Sequence, residues 1–330
     1  MDDSVPLWHT PYRAVRDGAA LFPLPDNGLI EVTGPEREEY LNSLCTNRVT
    51  GLKPGKTTRA LMLNPTKGRV LADFLVVATE DALWLDCERG CSSTVEALLQ
   101  RYYFGQDVEF RNHGDEWSIT SLQGPLSGEI LMRSGATLPA DHVGAHIETT
   151  IVSVTVRVVR WTDTGEVGFR VWAPVSSEQA VKAALIDAGA ITGDDEAWTV
   201  LQIEAGMAVF GRELTEDTIP LEAPTENAIS HDKGCYPGQE VIARLWARGR
   251  PAKRLRGLRL EGDQPPPPGA LLDGDDKASV ARITAAGVSP DLGSVALAFV
   301  HRDYCEAGTR LGGGELMAEV VDLPMTTVKA

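Results

Sequence analysis

Residues 233–240 read Lys233-Gly234-Cys235-Tyr236-Pro237-Gly238-Gln239-Glu240, followed by Val241-Ile242-Ala243-Arg244. Two glycines bracket a cysteine, an aromatic ring and a proline. Gly234 and Gly238 admit backbone conformations that side-chain-bearing residues disfavour, so the octapeptide is expected to hold Cys235 on a constrained turn. Lys233 lies two residues from the thiol, Arg244 follows in the next segment, and His231 precedes both. Positive charge beside a cysteine raises its thiolate fraction. A second reading makes Cys235 a small buried hydrophobe, as free cysteines often are. The stretch Gln239 to Trp246 fits either a strand or a short helix.

Upstream, strand and helix patterns alternate. Asp26–Val32 reads as a strand, and Thr33-Gly34-Pro35-Glu36 has the spacing of a capping box, predicting a helix from Thr33 to about Cys45. Thr58–Leu63, Val70–Ala78 and Ala82–Asp86 read as strands, with turn chemistry at Asn64-Pro65-Thr66-Lys67-Gly68. Ser93–Tyr103 places Val95, Leu98, Leu99 and Tyr102 on one helical face. Trp117–Leu122 is a strand, broken by Gln123-Gly124-Pro125 before another helix. A second section starts near Gly144, where Ile151–Trp161 alternates valines with polar residues as one long strand. Val167–Trp172 is a further strand, Ser176–Ala190 a helix, and Trp198–Gly206 a helix stopped by glycine. This alternation indicates an α/β or α+β body.

Downstream the pattern changes. Leu255–Leu260, Ser279–Thr284, Val295–Val300 and Glu315–Asp322 are short strands, and Pro265-Pro266-Pro267-Pro268 is a loop no helix crosses. Short strands with glycine turns predict a small barrel or sandwich, and the boundary falls near 248–252.

Composition sets outer limits. In 330 residues, 31 Lys and Arg against 47 Asp and Glu leave a net charge of −16, which disfavours a general nucleic-acid binder. Against that background, Arg244 to Arg259 holds seven basic residues and no acid. Such a cluster would attract an anion, or else neutralise acids on a neighbouring surface. The apolar runs are too short to span a membrane. The acidic N-terminus lacks an apolar segment, and five scattered cysteines do not form a disulfide framework. These features predict a protein of the reducing cytoplasm. Cys87 and Cys91 have no second ligand pair at zinc spacing, and His142 and His146 flank a glycine, so no metal of its own is predicted. Dinucleotide and P-loop signatures do not occur.

The octapeptide KGCYPGQE resembles the signature of the YgfZ family of folate-binding proteins, which share the fold of the glycine-cleavage T-protein, an aminomethyltransferase. Ile203-Glu204-Ala205-Gly206-Met207, Phe210-Gly211-Arg212-Glu213-Leu214, Ile219-Pro220-Leu221-Glu222-Ala223, Thr164-Gly165-Glu166-Val167-Gly168-Phe169 and Ala318 to Met325 are similar to family blocks in the same order. The resemblance implies an α+β fold: a folate-binding body of two interleaved α/β subdomains over 1–248, then a C-terminal β-barrel over 249–330. It implies a tetrahydrofolate cofactor and support of iron–sulfur cluster assembly or repair, with Cys235 as the functional thiol. Lys233, Gly234, Tyr236, Gly238, Gln239, Glu240 and Arg244 would form the signature loop around it. Reduced folate, polyglutamylated in one form, and iron–sulfur assembly or client proteins would be its partners. Aminomethyl transfer, or another folate-dependent one-carbon transfer, is the alternative.

The same resemblance assigns folate residues. Gly68-Arg69-Val70-Leu71-Ala72-Asp73-Phe74-Leu75-Val76 is similar to a T-protein stretch with an acidic pair. Only Asp73 is kept, as electrostatic partner or proton acceptor, and Ala72 counts against aminomethyl transfer. Glu166 matches the glutamate that pairs with the pterin, whose 2-amino-pyrimidine edge offers two donors to one carboxylate. Met62 matches a methionine lining the folate pocket. Each has a plainer reading: strand-edge polarity for Asp73, a solvated turn for Glu166, core filling for Met62.

Overall fold

A computed structural model describes residues 9–249, 251–314 and 316–326. Two sheets form the body. The first runs, in spatial order, Thr57–Leu63, Val70–Ala78, Leu83–Cys87, Gly28–Thr33 and Glu109–Asn112, with antiparallel neighbours. The second runs Ile191–Thr192, Ala20–Pro23, Trp117–Gln123, Gly168–Pro174, Val154–Arg160 and His146–Ile151. Its strands at 20–23 and 117–123 precede Gly144, so this section begins well before the expected start.

Strand alternation decides what lies between the sheets. In the first sheet, Ala72, Phe74, Val76, Leu83 and Leu85 face the helices Arg37–Leu44 and Ser92–Arg101 and pack with Tyr40, Leu41, Val95 and Leu99. The second sheet buries Leu122, Val158, Phe169 and Val171 among helix residues such as Ile130, Val181 and Leu185. The opposite faces meet through Leu29, Leu75, Val77, Ile119, Val159 and Trp172. Asp73, Asp86, Ser121, Gln123 and Arg170 continue that facing pattern along the same strands and are all buried. The intersheet layer therefore turns from apolar to charged along its length.

The C-terminal sheet is nearly a closed barrel. Its order is Leu271–Leu272, Ala281–Ser289, Gly293–His301, Lys253–Leu260, Leu316–Val321 and Arg310–Gly313, and a bridge between Asp273 and Gly312 joins the two ends. Leu258, Ile283, Ala298 and Val320 fill it. It meets the body through Ile203, Leu214, Tyr236, Ile242, Leu255 and Leu297.

Several sequence expectations change. Thr33 ends a strand, and the following helix starts at Arg37 with Glu36 before it, without a side-chain cap. The single strand expected over 151–161 is a hairpin: His146–Ile151 and Val154–Arg160 are joined through Val152 and Ser153, at φ 43° and 68°. Positive φ is costly for a branched side chain, so the residue types gave no turn signal. Gln239–Arg248 is a helix. The helix His9–Asp17 was not anticipated. The strand expected over 315–322 is described at Leu316–Val321, and position 315 lies outside the described residues.

His146 ties the two sheets together. Its Nε2–H donates to the Ala78 carbonyl (2.8 Å), and Nδ1 accepts from Arg157 (3.2 Å). Burial, then the Arg157 charge, push its pKa down to about 4. Between pH 6.5 and 4 the unfolded chain thus binds a proton the native state refuses, so this residue's contribution to stability is lost as pH is lowered. The expected loss is about 3 kcal/mol across that window. The difference between parent and H146Q urea midpoints, compared at pH 7 and 4.5, isolates it: the parent should lose about 3 kcal/mol more than H146Q on acidification.

Candidate functional site

The charged layer is built on two arginines. Arg59 grips Asp73 with two hydrogen bonds (Nε–Oδ1 2.9 Å, Nη2–Oδ2 2.5 Å). Arg170 donates to Asp163 (Nη2–Oδ1 2.7 Å, Nε–Oδ2 3.2 Å) and to Glu88 Oε1 (2.5 Å). Its Nη1 lies 3.0 Å from Asp86 Oδ2, as an ion pair without hydrogen-bond alignment. Ser121 donates to Asp163, and Trp172 and Asn27 donate to Asp86. Among the described residues four carboxylates thus share two guanidiniums, supplied by neighbouring strands, the turn after Cys87 and the loop after Arg160.

That loop, 161–167, also carries Glu166. The carboxylate is 1% exposed. Oε1 accepts from Arg16 Nη1 (2.7 Å), while the buried Oε2 has no hydrogen-bond partner among the described residues. Arg16 also pairs with the buried Glu204, which accepts from the Tyr12 hydroxyl (3.0 Å). Tyr12 reaches Asp291 of the barrel as well (3.1 Å). The helix His9–Asp17 therefore links Glu166 to the barrel.

The strand register separates the assigned folate residues. Leu61 pairs with Asp73, and Met62 pairs with Ala72. Asp73 consequently faces the charged layer. Met62 and Ala72 lie in the apolar cluster on the helix-covered side, so Met62 fills core there and is not brought together with Asp73 and Arg59. An acid at position 72 could not face the layer either, and the concern raised by Ala72 loses its physical basis. Cys87 and Cys91 are buried in that same apolar cluster.

The octapeptide has two buried anchors. Lys233 donates to the carbonyls of Asn42 (2.5 Å), Cys45 (2.5 Å) and Asn47 (2.9 Å), around the end of the helix Arg37–Leu44. Its ammonium lies 5.2 Å from the buried Tyr236 ring. Burial raises the Tyr236 hydroxyl to about 12. Between these anchors Gly234 and Cys235 are exposed. Lys233 is therefore a backbone clamp beside Cys45, a different role from the expected activation of Cys235. Gly234 does not take a left-handed conformation, and a Cβ there would meet open space. Gly238 does require glycine: its φ is +83°, and a Cβ would sit 2.8 Å from the Asn64 carbonyl oxygen. The helix beginning at Gln239 then lays Val241 over Gly68. Arg244 faces Glu240 one turn earlier (3.5 Å), and His231 stacks on the exposed Trp246 (3.8 Å between centroids).

Within the basic segment, Arg256 pairs with Asp322 (2.6 Å) and Lys253 approaches Glu222 (3.7 Å). Position 250 lies outside the described residues. A cleft of about 500 Å³ opens where body meets barrel, lined in part by Arg69, Arg212, Lys253 and Arg282. Asp73, Glu166, Met62 and Cys235 do not line it.

Of this buried charged set the sequence singled out Asp73 and Glu166, and not Arg16, Arg59, Asp86, Glu88, Asp163 or Arg170. The available signal was a charge set inside an otherwise apolar strand: Asp86 in Leu83–Cys87, Arg170 in Gly168–Pro174.

Known proteins share this arrangement of chain. The structure of the glycine-cleavage aminomethyltransferase T from Bartonella henselae superposes with a TM-score of 0.88, covering 97% of this chain and 90% of that one at 24% identity, a likeness of fold. An aminomethyltransferase from Chlorobium luteolum is 30% identical over 310 residues, 91% of this chain and 84% of the relative. One from Streptomyces coelicolor is 30% identical over 327 residues, 94% and 87%. The profile of the GCVT N-terminal domain matches residues 4–233, which include both body sheets and their charged layer. The chain therefore belongs to the GCVT N-terminal domain family and has the T-protein fold, with a barrel-like sheet at its C-terminal end.

Proposed function

We propose that this chain binds reduced folate with Glu166 as the pterin anchor, and that Cys235 serves the assembly or repair of iron–sulfur proteins in a reducing cytoplasm. The folate part rests on one observation, the unpartnered Oε2 of a fully buried carboxylate. A buried acceptor left without a donor costs about 1–3 kcal/mol, so a ligand N–H has a defined place to go. A carboxylate offers about four acceptor positions. Arg16 takes one of them at Oε1, leaving room for a two-donor edge. The residues present therefore fit a pterin. Glu166 would hold its amino-pyrimidine edge, and Arg16, braced by Glu204, would keep the carboxylate oriented. When bound, tetrahydrofolate supplies a carrier for one-carbon units.

The thiol part rests on the exposure of Cys235 between the buried Lys233 and Tyr236. Iron–sulfur clusters take about four protein ligands. One cysteine therefore handles a cluster only together with a partner's ligands.

Glu166→Gln keeps the shape but removes the charge. Folinic acid affinity, read by calorimetry, should fall about 10–100-fold, the equivalent of losing charge-assisted hydrogen bonds. Affinity within twofold of the parent would sink the Glu166 anchor.

Aminomethyl transfer is the second reading. It is favoured by the names of the relatives. Ammonia release from an aminomethyl-lipoyl carrier in the presence of tetrahydrofolate tests it. Turnover would establish the transferase; intact folate binding without turnover would leave the thiol reading.

A further inference from the structure

Among the described residues the charged layer between the sheets is unbalanced. Asp73, Asp86, Glu88 and Asp163 face Arg59 and Arg170, two guanidiniums for four carboxylates. Like charges confined together raise one another's pKa, which favours a proton retained in the layer. The donors already in place decide where it sits. Asp73 takes two hydrogen bonds from Arg59. Asp163 takes two from Arg170 and one from Ser121. Asp86 takes one each from Trp172 and Asn27, besides its ion pair with Arg170. Glu88 has a single side-chain donor among the described residues, Nη2 of Arg170, which Asp163 shares.

Glu88 is also the most accessible of the four, with 22% of its side chain exposed against 0–6% for the others. A proton there can leave. Its backbone N–H donates to the Asp73 carbonyl (3.0 Å), which fixes it beside that strand. The neighbouring Arg89 is turned to Asp26 (2.7 Å) and does not join the layer's pairs.

We propose that Glu88 carries the exchangeable proton of the intersheet site and gives it up when a ligand bringing N–H donors or positive charge binds there. The O–H bond of the carboxyl opens, the proton passes to solvent, and no other bond changes. Burial, opposed by Arg170 and reinforced by Asp73, Asp163 and Asp86, raises the Glu88 carboxyl to about 7. The exchange therefore falls at neutral pH. The ligand-linked half rests on the folate reading; the proton's location does not.

The experiment has two arms. Carbon-13 carboxyl resonances of glutamate-labelled protein, without ligand, should include one titrating near 7. It should be absent from Glu88→Gln and moved to lower pH in Asp163→Asn, which removes a like charge. In the second arm, folinic acid is bound at pH 7 in buffers of different ionisation enthalpy. The parent should release a fraction of a proton per ligand and Glu88→Gln none. A Glu88 resonance titrating in the ordinary carboxylate range, or equal proton release from both proteins, would overturn the proposal. If the parent binds no folinic acid, the folate reading fails, and the first arm alone decides where the proton resides.

Discussion

Arg170→Leu is expected to lose about 3–5 kcal/mol of stability, the usual consequence of stripping one partner from a buried ion cluster. Arg170 is 2% exposed and faces Asp86, Glu88 and Asp163 at once. Leucine fills space but leaves three carboxylates without their cation. A loss of that size is a large part of a domain's total stability, so the variant should unfold at a markedly lower urea concentration than the parent. Arg170→Lys should fall between, because an ammonium keeps the charge without the planar fork that serves several carboxylates together. The deficit of the leucine variant should shrink toward about pH 4, where the orphaned acids take up protons. Urea midpoints followed by circular dichroism across pH measure both effects. A leucine variant within 1 kcal/mol of the parent would mean that Arg170 does not hold the two sheets' charged faces together.

Cys235→Ala is the second large effect. The side chain is exposed, and its loop is held by Lys233 and Tyr236 through contacts that do not use the thiol. Fold and folinic acid affinity should therefore stay within experimental scatter of the parent. Rescue of an iron–sulfur enzyme in a strain lacking this protein should be abolished. Full rescue by the alanine variant would remove the thiol from the account while leaving the folate site untouched.

The two variants also mark where sequence reading reached and where it stopped. The strand Val70–Ala78 was legible to the residue, because a run rich in Val, Leu and Phe follows the turn signals at 64–68. The turn at Asn64 was legible too, and the Asn64 side chain accepts from the backbone of Thr66 and Lys67 as turn chemistry requires. Asp73 could be chosen from sequence, but its partner could not. Arg59 lies on the adjacent strand, and only the register Leu61–Asp73 brings it alongside. That register also sets Met62 opposite Ala72 on the helix-covered face, in keeping with the plainer core-filling reading of Met62. Pairing is a tertiary fact, and a one-residue shift would exchange the faces.

The octapeptide illustrates the same limit. Its glycines and cysteine announced a constrained loop, and the cysteine is exposed. The nearby lysine suggested an electrostatic role at that thiol, yet its ammonium ends on three carbonyls of a segment about 190 residues earlier. The helix His9–Asp17 escaped notice, although its Tyr12 and Arg16 form the link between Glu166, Glu204 and the barrel. Nothing in a short N-terminal stretch specifies partners far along the chain.

A crystal structure with folinic acid tests the central claim most directly. The account predicts the pterin between the two sheets, with its 2-amino group donating to Glu166 Oε2 and Arg16 still on Oε1. A pterin seated elsewhere, for instance in the cleft between body and barrel, with Glu166 Oε2 still unpartnered, would contradict it.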